Sequence, residues 1–246
     1  MLTAYDYPTA LALDECGLDF ILVGDSMGEV ELGMESTKGV TLAMMAHHVG
    51  AVRRGLTKTH LVADMTLGSD SSPKTAVVNA RTLRSAGADS VKLEGAKIAQ
   101  VEAIIAAGIP VMGHVGLLPQ TAEVYRKQGT TDEEAEQIVA DAKALDRAGC
   151  YAIVVEAVVP EVATRCTESV GAPTIGIAAG VGTDGQVLVS TDLIGQLPDP
   201  PPFVTPKANV RTIVIDAARE YVSEVQTGES GTRVDPDFTA GSPYTR

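Results

Sequence analysis

Three carboxylates, Asp25, Asp64 and Glu94, each close a short apolar run of strand length. The runs are Phe20-Ile21-Leu22-Val23-Gly24-Asp25-Ser26, His60-Leu61-Val62-Ala63-Asp64 and Ser90-Val91-Lys92-Leu93-Glu94-Gly95. Two more end the same way: Pro110-Val111-Met112-Gly113-His114 and Ala152-Ile153-Val154-Val155-Glu156. Apolar runs without alternation suit parallel strands covered on both faces. Polar residues at the carboxyl ends of such strands are where parallel α/β folds build their sites. Any one ending reads equally well as a helix cap or turn residue. Five together predict one pocket holding Asp25, Asp64, Glu94, His114 and Glu156.

Three carboxylates crowded together repel and raise each other's pKa. A hard divalent cation relieves this, and magnesium takes oxygen ligands while keeping waters for a substrate. Lys92 points into the same pocket if it alternates with Val91 and Leu93, as Glu94 does. It then serves as a salt-bridge partner or as the anchor of a substrate carboxylate. His114 reads as a site residue or as a satisfied structural histidine. Ser26 and Thr3 are candidate hydroxyl partners for an acid. Glu156 follows four apolar residues, a setting that suits a general base. Gly180, Gly182 and Gly185 lack a P-loop lysine and a GxGxxG spacing. They read as close backbone approach to a ligand or as a tight turn. No Ser-His-Asp or Cys-His arrangement has supporting context.

The elements that must position these groups alternate. Strands are expected at Leu2–Tyr5, Phe20–Val23, Leu61–Ala63, Ser90–Leu93, Pro110–Met112, Ala152–Val155 and Pro173–Ile177, with the eighth at Pro202–Val204. Helices are expected at Pro8–Cys16, Thr41–Arg54, Pro73–Ser85, Ala96–Ala107, Asp132–Ala148, Pro160–Ser169 and Asn209–Gln226, with Pro starts and Gly stops at several. The long connection Val115–Gly129 reads as a lid. Alternating units imply a parallel sheet. Polar ends spread over many strands favour a (β/α)₈ barrel over an open doubly wound sheet, which gathers its site at one switch point. The expected domain is 1–227, with 228–246 a polar mobile tail.

The chain has 246 residues, a length typical of one such barrel, and is 45% hydrophobic, enough for a sizeable core. Its 32 acidic residues outnumber 19 basic ones, for a net charge of −13. That argues against nucleic acid and against an anionic membrane as partners. Solubility alone accounts for the excess, with a salty cytoplasm as the lesser alternative. Cys16, Cys150 and Cys166 show no CxxC spacing, so buried thiols in a reducing cytoplasm are expected. No transmembrane run or leader is visible. The first strand starts at the first residues, which predicts a barrel floor with nothing ahead to cover it.

Met1-Leu2-Thr3-Ala4-Tyr5-Asp6-Tyr7, Val23-Gly24-Asp25-Ser26, Val52-Arg53-Arg54-Gly55, Ala63-Asp64, Val91-Lys92-Leu93-Glu94-Gly95, Gly113-His114-Val115-Gly116-Leu117 with Pro119-Gln120, Val155-Glu156 and Thr183-Asp184-Gly185-Gln186-Val187-Leu188-Val189 form an ordered set. Together they resemble the ketopantoate hydroxymethyltransferases, from Met1 to about Val210. The resemblance implies a barrel of the phosphoenolpyruvate mutase and isocitrate lyase superfamily. It implies transfer of a hydroxymethyl group from 5,10-methylenetetrahydrofolate to 3-methyl-2-oxobutanoate, giving 2-dehydropantoate for coenzyme A synthesis. By the same resemblance Asp25, Asp64 and Glu94 serve Mg2+, and Asp25, Ser26, Asp64 and Lys92 meet the ketoacid, with His114 beside them. Glu156 is then the proton acceptor, and the assembly a homo-oligomer, a decamer by resemblance. Differences from the family pattern include the missing leading segment, Met65-Thr66-Leu67 after Asp64, a shortened lid at Val124–Gly129, and Thr191 before Asp192 where a histidine is usual. The rival readings are a superfamily lyase acting on another 2-oxo or 2-hydroxy acid, and a non-catalytic barrel.

Overall fold

The computed structural model describes residues 1–229, so most of the predicted tail at 228–246 lies outside the described residues. Eight parallel strands pair in sequence order. They are β1 (Leu2–Thr3), β2 (Phe20–Val23), β3 (His60–Asp64), β4 (Ser90–Lys92), β5 (Val111–Gly116), β6 (Ala152–Glu156), β7 (Thr174–Ile177) and β8 (Gly185–Gln186). A parallel bridge, Leu2 to Leu188, joins the two edges of the curled sheet, and the Thr3 N–H donates to Leu188 O at 3.2 Å. The helices are α1 (Tyr7–Asp14), α2 (Met27–Val30), α3 (Leu42–Gly55), α4 (Pro73–Ala86), α5 (Ile98–Ala106), α6 (Asp132–Arg147), α7 (Pro160–Ser169), α8 (Ser190–Leu193) and α9 (Val210–Thr227). The expected barrel is the observed architecture.

Helix starts follow local chemistry. The side chains of Asp6, Thr41, Ser72 and Thr131 each accept the backbone N–H three residues on, capping α1, α3, α4 and α6. Gly87 stops α4 in the left-handed region at φ 118°.

Strand alternation divides the side chains. Odd-numbered residues such as Ile21, Leu61, Val91, Val111 and Ile153 pack with the helices in the outer core. Even-numbered residues Leu22, Val62, Met112, Ala152 and Val154, with Ile175 of β7 and Val187 just past β8, belong to an inner cluster inside the barrel. One pleat higher on the same faces stand Asp64, Lys92, His114 and Glu156, lining a cavity at the carboxyl ends. The barrel thus has an apolar floor layer and a polar layer above it.

Four expectations are corrected. The eighth strand is Gly185–Gln186, not Pro202–Val204. It is two residues long and pairs Gly176 with Gln186, so it carries no apolar run to betray it. Strand β5 extends past Met112 to Gly116, because its ladder with β6 continues to the Gly116–Glu156 pair; His114 therefore lies within the strand. Cys150 and Cys166 are buried as expected, but Cys16 is exposed, one turn beyond the end of α1. Below the inner cluster, Phe20, His60 and Tyr151 at the strand amino ends pack with ring centroids 5.5–5.9 Å apart. His60 Nε2 and Ser90 Oγ lie 2.9 Å apart, and Ser90 Oγ meets Tyr151 OH at 2.8 Å, so this end of the barrel is filled from within. No helix of the described residues is long and apolar enough to cross a membrane.

Candidate active site

Asp25 stands two residues past β2, where Gly24 lets the turn pass close to its neighbours. A Cβ on Gly24 would lie 2.9 Å from Ser26 Oγ and 3.5 Å from Asp64 Oδ2. The Asp25 N–H donates to Asp64 Oδ2 at 3.0 Å, so the first two carboxylates are tied backbone to side chain. Ser26 Oγ and Tyr5 OH lie 2.9 Å apart, and Tyr5 is buried.

Lys92 Nζ stands 2.8 Å from Asp64 Oδ1. The contact is a buried ion pair, in which the ammonium is the one group facing Oδ1. Lys92 Nζ also lies 3.5 Å from His114 Nδ1. His114 Nε2 faces Glu156 Oε2 at 3.2 Å. Asp64, Lys92, His114 and Glu156 thus run in one contiguous chain across β3, β4, β5 and β6. Lys92 and His114 are buried, while the Glu156 side chain keeps 23% exposure to the cavity.

The electrostatics of this corner are lopsided. Burial pushes the Glu94 carboxyl up to about 8, against the pull of Lys92, and Asp25 and Asp64 add to the rise. Burial, then the Asp64 charge, raises Asp25 as well. Burial alone would lower Lys92, but Asp64, Asp25 and Glu94 outweigh it and hold the ammonium charged. Burial and the Lys92 charge both lower His114, which keeps the imidazole neutral.

Gln120 is the functional residue that sequence reasoning passed over, quoted only as part of Pro119-Gln120. Its buried side-chain Nε2 donates to Asp25 Oδ2 and to Met65 O, each at 2.8 Å. Its backbone N–H donates to Glu94 Oε2 at 3.1 Å. One residue at the root of the predicted lid therefore touches two of the three carboxylates. Further along, Lys38 Nζ donates to Ala122 O at 2.8 Å, and Gln128 N–H to Ala157 O at 2.8 Å. Ala157 follows Glu156 in the left-handed region, at φ 50°. Ala157 N–H bonds Ile177 O, which with the Gln128 contact holds that unfavourable backbone in place. Gly116 is needed opposite: a Cβ there would fall 2.3 Å from Glu156 O.

All the expected site residues line one cavity of about 650 Å³: Asp25, Ser26, Asp64, Lys92, Glu94, His114 and Glu156. Thr3 lines it too, its hydroxyl accepting the Ser190 N–H at 3.0 Å. For the glycines near β7 the tight turn is the reading that holds. Gly180 and Gly182 sit against Pro160 and Thr164 of α7, where a Cβ would collide, so they serve a tight turn. Among the described residues no three acidic, histidine or cysteine groups already converge at metal-binding distance. In kind, the donors fit a hard cation: three buried carboxylates against one buried lysine.

The family profile described as ketopantoate hydroxymethyltransferase matches residues 1–232. The chain belongs to that family. It is 50% identical over 235 residues to the 3-methyl-2-oxobutanoate hydroxymethyltransferase of Ignicoccus hospitalis, covering 93% of this chain and 89% of that one. The enzyme of the same name from Clostridium novyi is 48% identical over 236 residues, covering 93% and 86%. Among solved structures, a 2,3-dimethylmalate lyase of the PEP mutase/isocitrate lyase superfamily superposes with a TM-score of 0.60 at 14% identity, covering 97% of this chain and 85% of that one. A phosphoenolpyruvate phosphomutase from Streptomyces platensis subsp. rosaceus gives 0.61 at 13%, covering 92% and 82%. These two likenesses show the barrel fold, and the close relatives establish an enzyme of the transferase family.

Proposed function

We propose that this enzyme transfers a hydroxymethyl group from 5,10-methylenetetrahydrofolate to 3-methyl-2-oxobutanoate, giving 2-dehydropantoate. The observation that carries the reading is the contiguous chain Asp64–Lys92–His114–Glu156 in a cavity of a chain whose relatives bear that name. Lys92, held charged, and the Ser26 hydroxyl take the ketoacid carboxylate. Glu156 accepts the proton from carbon three, and neutral His114 beside it holds the carboxylate in orientation. Asp25, Asp64 and Glu94 would hold magnesium, which when bound supplies Lewis-acid stabilisation of charge at the keto oxygen. The carbanion at carbon three forms the new C–C bond to the one-carbon unit. Both C–N bonds of the carrier's methylene bridge break, the proton held by Glu156 and one from water end on the two nitrogens, and the same water supplies the hydroxyl. The Tyr125 and Gln120 segment covers the cavity and limits competing protonation by solvent.

A homo-oligomer in the cytoplasm is the accompanying proposal. Its support is α9, which buries none of its residues and exposes Ile213, Val214, Tyr221, Val222 and Val225. The function is tested by product analysis with 3-methyl-2-oxobutanoate, magnesium and methylenetetrahydrofolate. Formation of 2-dehydropantoate only with the folate is expected. Ketoacid cleavage that ignores folate would refute the transferase in favour of a lyase.

A further inference from the structure

One buried carboxylate in the cavity has no part in the chain of groups around Lys92. Asp192 lies in α8, is 6% exposed and lines the cavity. Among the described residues its carboxylate has no hydrogen-bond donor and no cation beside it, and burial is the sole cause raising its pKa. Capping does not account for it: the preceding Val189 is the N-cap, and α8 has four residues and no side-chain cap bond. The carboxylate opens onto the cavity without a protein partner, so N–H groups of a ligand there can reach it. A single carboxylate is too few oxygens for a hard cation, which takes six or more.

The surroundings define what would pair with it. The adjoining wall is apolar, from Ile177, Val187, Val189, Leu197, Pro201 and Phe203. Such a wall suits a flat ring, and Phe203, half exposed, offers a face for it. At the cavity mouth stand Tyr125, Arg126 and Lys127, which suit an anionic end. The cavity of about 650 Å³ lies within the range that encloses drug-sized ligands, well beyond the needs of a five-carbon acid.

We infer that Asp192 anchors the heterocyclic head of the one-carbon donor, pairing its two oxygens with an adjacent ring N–H and exocyclic amino group. This rests on the transferase reading above, because a 2-amino-4-oxo pyrimidine ring of the tetrahydrofolate kind is what presents that donor pair. Two parallel N–H···O bonds to a carboxylate combine strength with orientation. The head lies against Phe203 and the anionic tail leaves past Arg126 and Lys127. Asp192→Asn keeps size but turns half of the acceptor into a donor facing a donor.

The test is calorimetric titration of tetrahydrofolate into wild-type enzyme, Asp192→Asn and Asp192→Ser, with steady-state KM values for both substrates. Losing bonds to a charged acceptor predicts weakening on the order of ten- to a hundredfold for the folate. The ketoacid KM and the folate-free exchange of its carbon-three hydrogen should change less than about twofold by the same principle, since neither involves this carboxylate. A folate analogue with methyl in place of the 2-amino group should bind wild type correspondingly more weakly than the parent. That comparison needs only the wild-type enzyme, so it decides even if both variants misfold. Equal binding of analogue and parent, or unchanged folate affinity in a folded variant, overturns the anchor while leaving folate-dependent turnover intact. Wild-type turnover that ignores folate overturns the transferase reading and the anchor with it.

Discussion

Replacing Gln120 by leucine removes two donated hydrogen bonds and keeps the bulk of the side chain. The bonds go to Asp25 Oδ2 and Met65 O, both 2.8 Å. A bond to a charged acceptor contributes about 1.5–3 kcal/mol and one to a neutral carbonyl about 0.5–1.5 kcal/mol. The gross loss is therefore about 2–4.5 kcal/mol, reduced because Asp25 lines a cavity that admits water. A net loss of about 2 kcal/mol corresponds to a fall in melting temperature of about 4–8 °C for a domain of this size. The larger consequence is functional. Freed of its partner, the Asp25 carboxylate loses a fixed orientation, and partners that orient metal ligands are typically worth ten- to a hundredfold in metal affinity. Calorimetric titration with magnesium, alone and with saturating ketoacid, reads this directly. About tenfold weaker magnesium binding together with the lower melting point is expected. A lower melting point with unchanged magnesium affinity would refute the idea that Gln120 positions the carboxylates.

Two further outcomes are expected. Asp64→Asn weakens magnesium binding and with it ketoacid binding, since it removes an anionic ligand and the counter-charge of Lys92; unchanged ketoacid affinity at saturating magnesium in titration calorimetry counts against Asp64 as a ligand. Asp14 accepts the Thr57 hydroxyl and the N–H groups of Thr57 and Thr59, and the Thr57 side-chain bond above all holds its carboxyl well below the usual range. Its pKa is depressed on folding, so its contribution is complete above the ordinary carboxylate value of about 4 and is lost as the pH falls below that. Asp14→Asn should therefore unfold at lower urea than wild type at pH 6, with the gap narrowing toward pH 2; a gap that does not change with pH refutes the assignment.

The strands that pass through the core were legible because burial on both faces writes an apolar run: β2, β3, β4, β6 and β7 appear where the runs from Phe20, Leu61, Ser90, Ala152 and Pro173 predict them, within a residue or so. Their polar endings foretold the cavity for the same reason, since the alternation that buries Leu22 and Val62 lifts Asp64 onto the same lumen face. β8 escaped because two residues paired through backbone alone, Gly185 and Gln186, need no apolar side chains. Pro202–Val204 drew attention through its composition, yet Pro202 and Phe203 form part of the cavity wall. Gln120 was invisible for another reason. An amide in a long connection has no period and no charge, and its importance comes from three bonds to residues 26, 55 and 95 positions away. Asp192 likewise follows no strand pattern, and its isolation emerges only when the surrounding side chains are in place.

The most direct test of the account is exchange of the carbon-three hydrogen of 3-methyl-2-oxobutanoate into deuterated water, followed by NMR with magnesium and without folate. It isolates the proton transfer assigned to Glu156 from every later step. Wild type should exchange the hydrogen well above the rate of magnesium alone. Glu156→Gln should keep magnesium-dependent ketoacid binding, because the groups that hold the acid lie at or just past the ends of β2, β3 and β4. Its exchange should fall by about a hundred- to ten-thousandfold, the usual span for removing a general base. Exchange at the wild-type rate in the glutamine variant would contradict the assignment and make His114, 3.2 Å away, the base to examine next.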